Sequence, residues 1–340
     1  MKRIGIICPS EIAFRRFLPA LKEAGCFEYA GVAIASKEEY VGATDEVLAK
    51  ERAKAQTFVD SYGGKIYERY STLIYSDEID AIYLPLPPGL HYKWAKKAVA
   101  AGNHILVEKP CTTALATTGD LLKDADAKGL AVHENYMFAF HEQLEAVNDI
   151  VRSGEIGDVR LYRVSFGFPM RAQNDFRYNK ALGGGALLDC GGYTLKYASM
   201  LLGPTAQLKY AQSNNIEGFS VDMYGSAALV NDEGVTAQIA FGMDHNYKCE
   251  LEVWGSKGTI YTNRILTAPA GLVPEVIIRK GNEEEKRNLP ADDAFKKSIL
   301  HFFKCIKDAD TRKSNYETLL RQARLVEQFK QLANIDVNKV

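Results

Sequence analysis

The sequence predicts an α/β protein of two domains, a doubly wound parallel sheet followed by a domain built on long antiparallel strands. Three observations predict it. The chain has 340 residues, more than the roughly 250–300 at which a single core stops growing. Up to residue 135, short β-branched runs alternate with longer helical patterns, the texture of successive βαβ units. Beyond residue 140 the texture becomes long strands in which apolar and polar residues alternate, as in an antiparallel sheet with one face on a core. We therefore expect domains over residues 1–135 and 136–340.

In the first domain, strands are predicted over 3–8, 29–35, 81–84, 104–108 and 131–135. Helical spacing of apolar residues is predicted over 12–24, about 44–61, 90–101 and 114–128. Right-handed crossovers then require a doubly wound sheet. The segment 37–50 is longer than a usual strand-to-helix connection and reads as a surface elaboration beside the ligand mouth. In the second domain a helix over 140–153 precedes strands over 159–168, 207–215, 221–231, 234–242, 249–254 and 276–279. A helix over 184–202 interrupts them, and helices over 292–307 and 316–332 close the chain.

Lys and Arg total 42 against 43 Asp and Glu, a formal charge of −1. A nucleic-acid or anionic-membrane partner needs a basic surplus, so neither is expected. The six cysteines are scattered and form no CxxC pair, which predicts buried thiols in a reducing compartment, with neither a metal site nor a disulfide framework. No apolar run approaches the ~18–20 residues of a membrane span. Arg15-Arg16 mimics an export signal, but Pro19, Lys22 and Glu23 interrupt the region behind it. A cytoplasmic location is the expectation.

The chemistry lies at the carboxyl ends of the first-domain strands, where ligands bind in doubly wound sheets. The first strand runs through Cys8, Pro9, Ser10, Glu11 and Ile12 into a helix, the place where backbone amides meet a pyrophosphate. The glycines expected there are missing: Gly5 lies too early, and Cys8 and Ser10 occupy the two slots. The second strand ends in Ser36-Lys37, where an acidic residue would grip a ribose 2′-hydroxyl. A hydroxyl and an ammonium suit a 2′-phosphate instead, so NADP is favoured, with NAD as the alternative. Leu84-Pro-Leu-Pro-Pro-Gly-Leu-His91 is too rich in proline to continue as strand, and it brings His91 to a helix start near the same edge. Val107-Glu108-Lys109-Pro110 delivers Lys109 there as well. Behind Gly183-Gly-Gly185, Asp189 and Tyr193 are four residues apart and share a helix face. Carbonyl reduction leaves an oxyanion that needs a proton, and a phenol beside an ammonium supplies one. Tyr193 is thus the expected proton donor and Lys109 its partner, with Asp189 orienting a substrate hydroxyl or the lysine.

Ile105-Leu-Val-Glu-Lys-Pro110, Asp80-Ala-Ile-Tyr-Leu-Pro85 with His91, and Gly183-Gly-Gly-Ala-Leu-Leu-Asp-Cys-Gly-Gly-Tyr193 together resemble the glucose-fructose oxidoreductase / inositol dehydrogenase / rhizopine catabolism (Gfo/Idh/MocA) family. The resemblance spans nearly the whole chain. It implies an N-terminal Rossmann domain and a C-terminal α/β domain with a large, mainly antiparallel, open-faced sheet that makes homodimer or homotetramer contacts. It also implies catalytic roles for Lys109 and residue 193. Tyrosine at 193 resembles the branch that holds nucleotide-sugar 3-ketoreductases, dihydrodiol dehydrogenases and xylose dehydrogenases; within it, Ile12–Ala20, Glu134–Phe138 and Pro85–His91 are most similar to the ketoreductases of deoxysugar biosynthesis.

On this reading Cys8, Pro9, Ser10, Glu11, Ile12, Ser36, Lys37, Leu84, His91, Glu108 and Lys109 hold the dinucleotide. Lys109, Asn135, Asp175, Arg177, Asp189, Tyr193 and Tyr247 face the substrate, with Arg177 suited to bidentate phosphate contact and Asp244 and Lys248 beside Tyr247. The expected reaction is NADPH-dependent reduction of a keto group on a nucleotide-linked deoxysugar. A dehydrogenase of free sugars, inositols or diols is the enzymatic alternative, and a non-catalytic dinucleotide-binding regulator the alternative of another class.

Overall fold

The computed structural model describes residues 1–40 and 42–335; within the long 37–50 segment Val41 lies outside the described residues, as do 336–340. In the first unit β1 (Lys2–Ile7) leads through a helix whose opening turn, Ala13–Phe17, is wound as a π-helix, into α1 (Leu18–Ala24). Gly25, in the left-handed conformation at φ 62°, ends that helix. Then follow β2 (Phe27–Ala33), α2 (Asp45–Tyr62), β3 (Lys65–Tyr67), α3 (Tyr70–Ile74), β4 (Ala81–Leu84), α4 (Pro88–Ala100), β5 (His104–Val107), α5 (Leu115–Ala127) and β6 (Val132–Glu134). The strands pair in parallel in the order β3-β2-β1-β4-β5-β6. Two windings diverge from β1 and β4, and the crevice outside their carboxyl ends is the switch point of a dinucleotide fold.

Local chemistry accounts for the helix starts. The Thr44 hydroxyl accepts the Val47 N–H at 3.3 Å, with Asp45 and Glu46 in the first turn, where acids favour the helix dipole. Pro88 opens α4, where the missing N–H costs nothing. The prediction missed β3 and α3, since three and five residues are too few to show a period.

The second unit opens with α6 (Glu142–Arg152) and β7 (Val159–Gly167). A π-wound turn, Leu187–Gly191, continues into α7 (Gly192–Leu202). The remaining strands are β8 (Gln207–Asn214), β9 (Tyr224–Val230), β10 (Thr236–Gly242), β11 (Lys248–Gly255), β12 (Thr259–Asn263), β13 (Glu275–Lys280) and β14 (Glu283–Asn288). They form an eight-stranded sheet in the order β14-β13-β12-β11-β7-β10-β9-β8. All its pairs are antiparallel except β7 with β10. Val164, Phe166, Ile239, Phe241, Leu251 and Val253 are buried on one face with Leu195 and Ala198 of α7, while Tyr210 and Trp254 are about half exposed. β14 reads Glu-Glu-Glu-Lys-Arg-Asn and carries no apolar alternation. It is an edge strand held by backbone pairing to β13, and its charges guard that edge.

The chain closes with α8 (Ala294–Lys307) and α9 (Ala309–Leu332). The prediction gave both to the second domain. Instead Phe295–Leu320 belongs with Met1–Asn135 in one compact unit, and residues 136–294 with those from Arg321 onward form the other. A buried polar network explains the difference. His133 of β6 meets the Asn315 side-chain oxygen at 2.8 Å through Nδ1 and the Ser298 hydroxyl at 3.0 Å through Nε2. The Asn315 amide donates to the Val132 carbonyl at 2.8 Å, and the Tyr316 hydroxyl to that of Leu130. These groups are at most 7% exposed, so each lost partner leaves an unmet polar atom. Among the described residues no helix is long and apolar enough to cross a membrane.

Replacing Asn315 with alanine removes the partner of His133 Nδ1 and that of the Val132 carbonyl together. It is expected to destabilise the first unit by about 1–3 kcal/mol, read as a lower denaturant midpoint with an unchanged slope. An unchanged midpoint would show that the network does not hold α9 in place.

Candidate active site

At the end of β1, Cys8 has a φ of 78°, the left-handed region that glycine ordinarily supplies. Its N–H donates to the Ala33 carbonyl at 3.0 Å and its carbonyl accepts the Ser10 N–H at 2.9 Å. The Ser10 hydroxyl accepts the Ala13 N–H at 3.2 Å and caps the helix that follows. The turn expected of a glycine motif is therefore present without its glycine. Burial first, then the Glu51 carboxylate, pushes the thiol's pKa up to about 12, far from the thiolate range of reactive cysteines.

At the end of β2 the Ser36 hydroxyl donates to Glu38 at 2.8 Å, and Glu38 also pairs with Arg69 at 3.3 Å. Lys37 pairs with Asp45 at 2.6 Å on the surface. Glu39 anchors this loop, accepting the N–H groups of Ser36, Tyr70 and Ser71 at 2.9–3.1 Å. Arg69 was missed in the sequence because it follows β3, itself too short to read.

At the carboxyl ends of β4 and β5 the side chains are packed rather than open. Glu108, 8% exposed, accepts the Tyr83 hydroxyl at 2.6 Å and the Asn135 amide at 2.7 Å. Burial pushes its carboxyl pKa upward against those bonds. Asn135 in turn accepts the Ser298 hydroxyl at 2.8 Å. His91 has no exposed surface; Nδ1 lies 2.7 Å from the Pro110 carbonyl oxygen and Nε2 2.6 Å from that of Leu86. Burial draws the imidazole down to about 4, although two facing carbonyls favour its protonated form. The side chains of Leu84, His91 and Glu108, expected at the cofactor, and of Asn135, expected at the substrate, are all enclosed, and the last three use their polar atoms inside the protein. They position Lys109, which lies half-buried between Glu108 and Pro110; the Lys109–Pro110 peptide is cis.

In the second unit the glycine triplet serves a close backbone approach. Gly183 is left-handed at φ 75° and Gly185 lies at φ 119°. A Cβ on Gly184 would strike the Arg177 backbone, and one on Gly185 the Asp222 carboxylate. The Gly185 N–H donates to the Arg177 carbonyl at 2.9 Å. Arg177 Nε donates to Asp189 at 2.7 Å, and its NH1 to both oxygens of Asp175 at 3.1 and 3.3 Å. Burial opposes the guanidinium charge, but Asp189 and then Asp175 more than offset it, so the pKa is raised. Where a bidentate phosphate contact was expected, three side-chain hydrogen bonds of Arg177 go to carboxylates, and one of them holds Asp189.

Tyr193 is 8% exposed and is gripped by rings. Tyr136 meets it edge-on at 5.0 Å between centroids, Phe166 edge-on at 5.4 Å and Phe138 tilted at 5.7 Å. A phenol with its ring so held keeps one orientation for its hydroxyl. The π-wound turn before it is a feature that recurs at functional sites. Tyr247 is exposed and belongs to a separate cluster, its hydroxyl 2.9 Å from that of Thr267 and accepting Arg264 NH1 at 2.8 Å. That cluster adjoins the same sheet end as Phe166, because Cys249 pairs with Phe166. Asp244 pairs with His245. Among the described residues no three metal-ligating side chains assemble.

The first unit fits a dinucleotide. Cys8 already has the backbone form that the pyrophosphate turn demands, the capped helix follows directly, and Ser36, Lys37 and Arg69 leave a hydroxyl and two cations at the end of β2. The second unit presents a carboxylate held by Arg177 and a phenol held by three rings, on one helix face.

Comparison with known proteins agrees. The profile described as the oxidoreductase family, NAD-binding Rossmann fold, matches residues 4–136, and the GFO/IDH/MocA C-terminal domain matches 144–261. The dTDP-3,4-didehydro-2,6-dideoxy-alpha-D-glucose 3-reductase of Actinomadura kijaniata is 37% identical over 325 residues, covering 96% of this chain and 93% of that protein. The enzyme of the same name from Streptomyces violaceoruber is 38% identical over 342 residues, covering 98% and 96%. The crystal structure of a 3-ketoreductase from Actinomadura kijaniata in complex with NADP and TDP-benzene superposes with a TM-score of 0.87 at 37% identity, covering 97% of each chain. This chain belongs to the GFO/IDH/MocA family of oxidoreductases.

Proposed function

We propose that the protein reduces a keto group on a nucleotide-linked deoxysugar with NADPH. The observation that carries this reading is near-full-length similarity to two 3-reductases of dTDP-linked sugars. The solved relative with NADP and TDP-benzene supports the cofactor and the nucleotide. When bound, the nicotinamide supplies the hydride that the keto carbon accepts. Tyr193 gives its phenolic proton to the former carbonyl oxygen, and the Lys109 ammonium stabilises the negative charge developing there. Asp189, fixed by Arg177, accepts a hydrogen bond from a sugar hydroxyl. Ser36, Lys37 and Arg69 bind the 2′-phosphate. Their present ion pairs with Asp45 and Glu38 are exposed, hence weak, and yield to a dianion.

Tyr193→Phe and Lys109→Ala are each expected to lower kcat by about 10²–10⁴-fold, with NADPH affinity held within a few-fold for Tyr193→Phe. Wild-type turnover in both variants refutes the assignment. Turnover of a dTDP-linked 3-keto-2,6-dideoxysugar should exceed that of free aldoses and diols by orders of magnitude. Comparable kcat/KM for free xylose oxidation would instead make the protein a sugar dehydrogenase. Loss of Lys37 and Arg69 together should weaken NADPH binding by about 10-fold or more and leave NADH unchanged, as read by cofactor fluorescence.

A further inference from the structure

Asp222 lies on the segment entering β9, 35 residues from Leu187, yet its carboxylate accepts the Leu187 N–H at 2.6 Å. Its backbone carbonyl accepts the Ala186 N–H at 2.8 Å, and its other carboxylate oxygen occupies the space a side chain at 185 would need. The opening of the helix that carries Asp189 and Tyr193 is thus fastened at two successive N–H groups by one residue. Serine or asparagine would cap the same helix without burying a charge. A carboxylate makes a shorter and stronger bond to N–H than a neutral acceptor does, which fixes how the helix is rotated about its axis.

We propose that Asp222 is a positioning residue for the reduction, its carboxylate setting the helix start so that Asp189 and Tyr193 hold their reactive orientation. The proposal rests on the reading of Tyr193 as proton donor. Nothing in the sequence pointed to Asp222, because its partners lie far away along the chain. The groups facing its carboxylate are the N–H groups of Leu187 and of Asp222 itself and the ammonium of Lys330. Burial lifts its pKa to about 6, against the Leu187 N–H and the Lys330 charge, so the clamp loses its charge as pH falls through that value.

The test compares wild type, Asp222→Asn, Asp222→Ala and Tyr193→Phe in kcat and KM for a dTDP-linked 3-keto-2,6-dideoxysugar across pH values around 6, with NADPH binding measured by fluorescence. Wild-type kcat should fall as pH drops through about 6. Asp222→Asn should lower kcat by about 10-fold and Asp222→Ala by up to about 10²-fold, with KM and NADPH affinity near wild type. The asparagine variant should lack the acid limb near pH 6. It preserves shape and one acceptor, so it reports even where the alanine variant fails to fold. Wild-type kcat in Asp222→Asn, or retention of the same acid limb, overturns the proposal while Tyr193→Phe remains inactive. Full activity in Tyr193→Phe removes the reading on which it rests.

Discussion

An ionisable group taken out of water has to find its partners inside the fold, and the first unit turns on one such group. Glu108 lies where three parallel strands reach the ligand edge, and its carboxyl takes hydrogen bonds from Tyr83 on β4 and from Asn135 just past β6. Leaving a buried acceptor unmet costs about 1–3 kcal/mol, so neither bond is easily given up. Lys109 follows directly, in the bend that the cis Lys109–Pro110 peptide makes just past β5. The His91 ring lies between the carbonyl oxygens of Pro110 and Leu86, and as a neutral imidazole it donates its one N–H to one of them. Lys109 therefore stands between a buried acid and a proline whose carbonyl lies against a buried ring. The glutamate and the histidine, which look like site residues in the sequence, hold the lysine.

The second unit meets the same need for precision with close backbone contact as well as buried charge. Gly184 and Gly185 let the Arg177 backbone and the Asp222 carboxylate come closer than any Cβ would allow. Arg177 then acts twice, its carbonyl accepting the Gly185 N–H and its guanidinium tying Asp189 to Asp175. A glycine-rich run before a helix invites a phosphate-binding reading. Here the run allows the protein to close on itself, and the helix N–H groups at 186 and 187 are met by Asp222.

Most of the architecture was legible because it rests on periodicity. β4 begins and ends where its apolar run does, and α2, α4 and α5 follow their helical spacing to within two residues. β3 and α3, at three and five residues, are too short to repeat a pattern, and β14 has only charges to show. The parallel pairing of β7 with β10 and the place of Phe295–Leu320 with the first unit are facts of long-range packing; neither changes the local alternation from which strands and helices are read. Motif spacing singled out Lys109, Arg177, Asp189 and Tyr193 as candidates, beside a proline, a glycine run or a helix repeat. It singled out His91 and Glu108 as well, whose side chains are buried and bonded within the protein, because residue type does not tell whether a polar side chain looks outward or in. Arg69, Asp222 and the rings around Tyr193 were out of reach for the same reason as β7 and β10: their partners are distant in sequence.

Cys8 shows where the line between motif and physics falls. A glycine signature is a statement about backbone conformation, and a search by residue type fails when another residue adopts that conformation. Holding a non-glycine residue in the left-handed region costs about 1–3 kcal/mol and persists only where surrounding structure over-determines it. At Cys8 it is over-determined: the N–H is bound by Ala33, the carbonyl by Ser10, and the thiol lies against Glu51 and Tyr70. Cysteine also has fewer unfolded conformations to lose than glycine, which returns part of that cost. The turn at the end of β1 is thus made by a residue held in place from three directions, and its shape does not depend on the permissiveness of glycine.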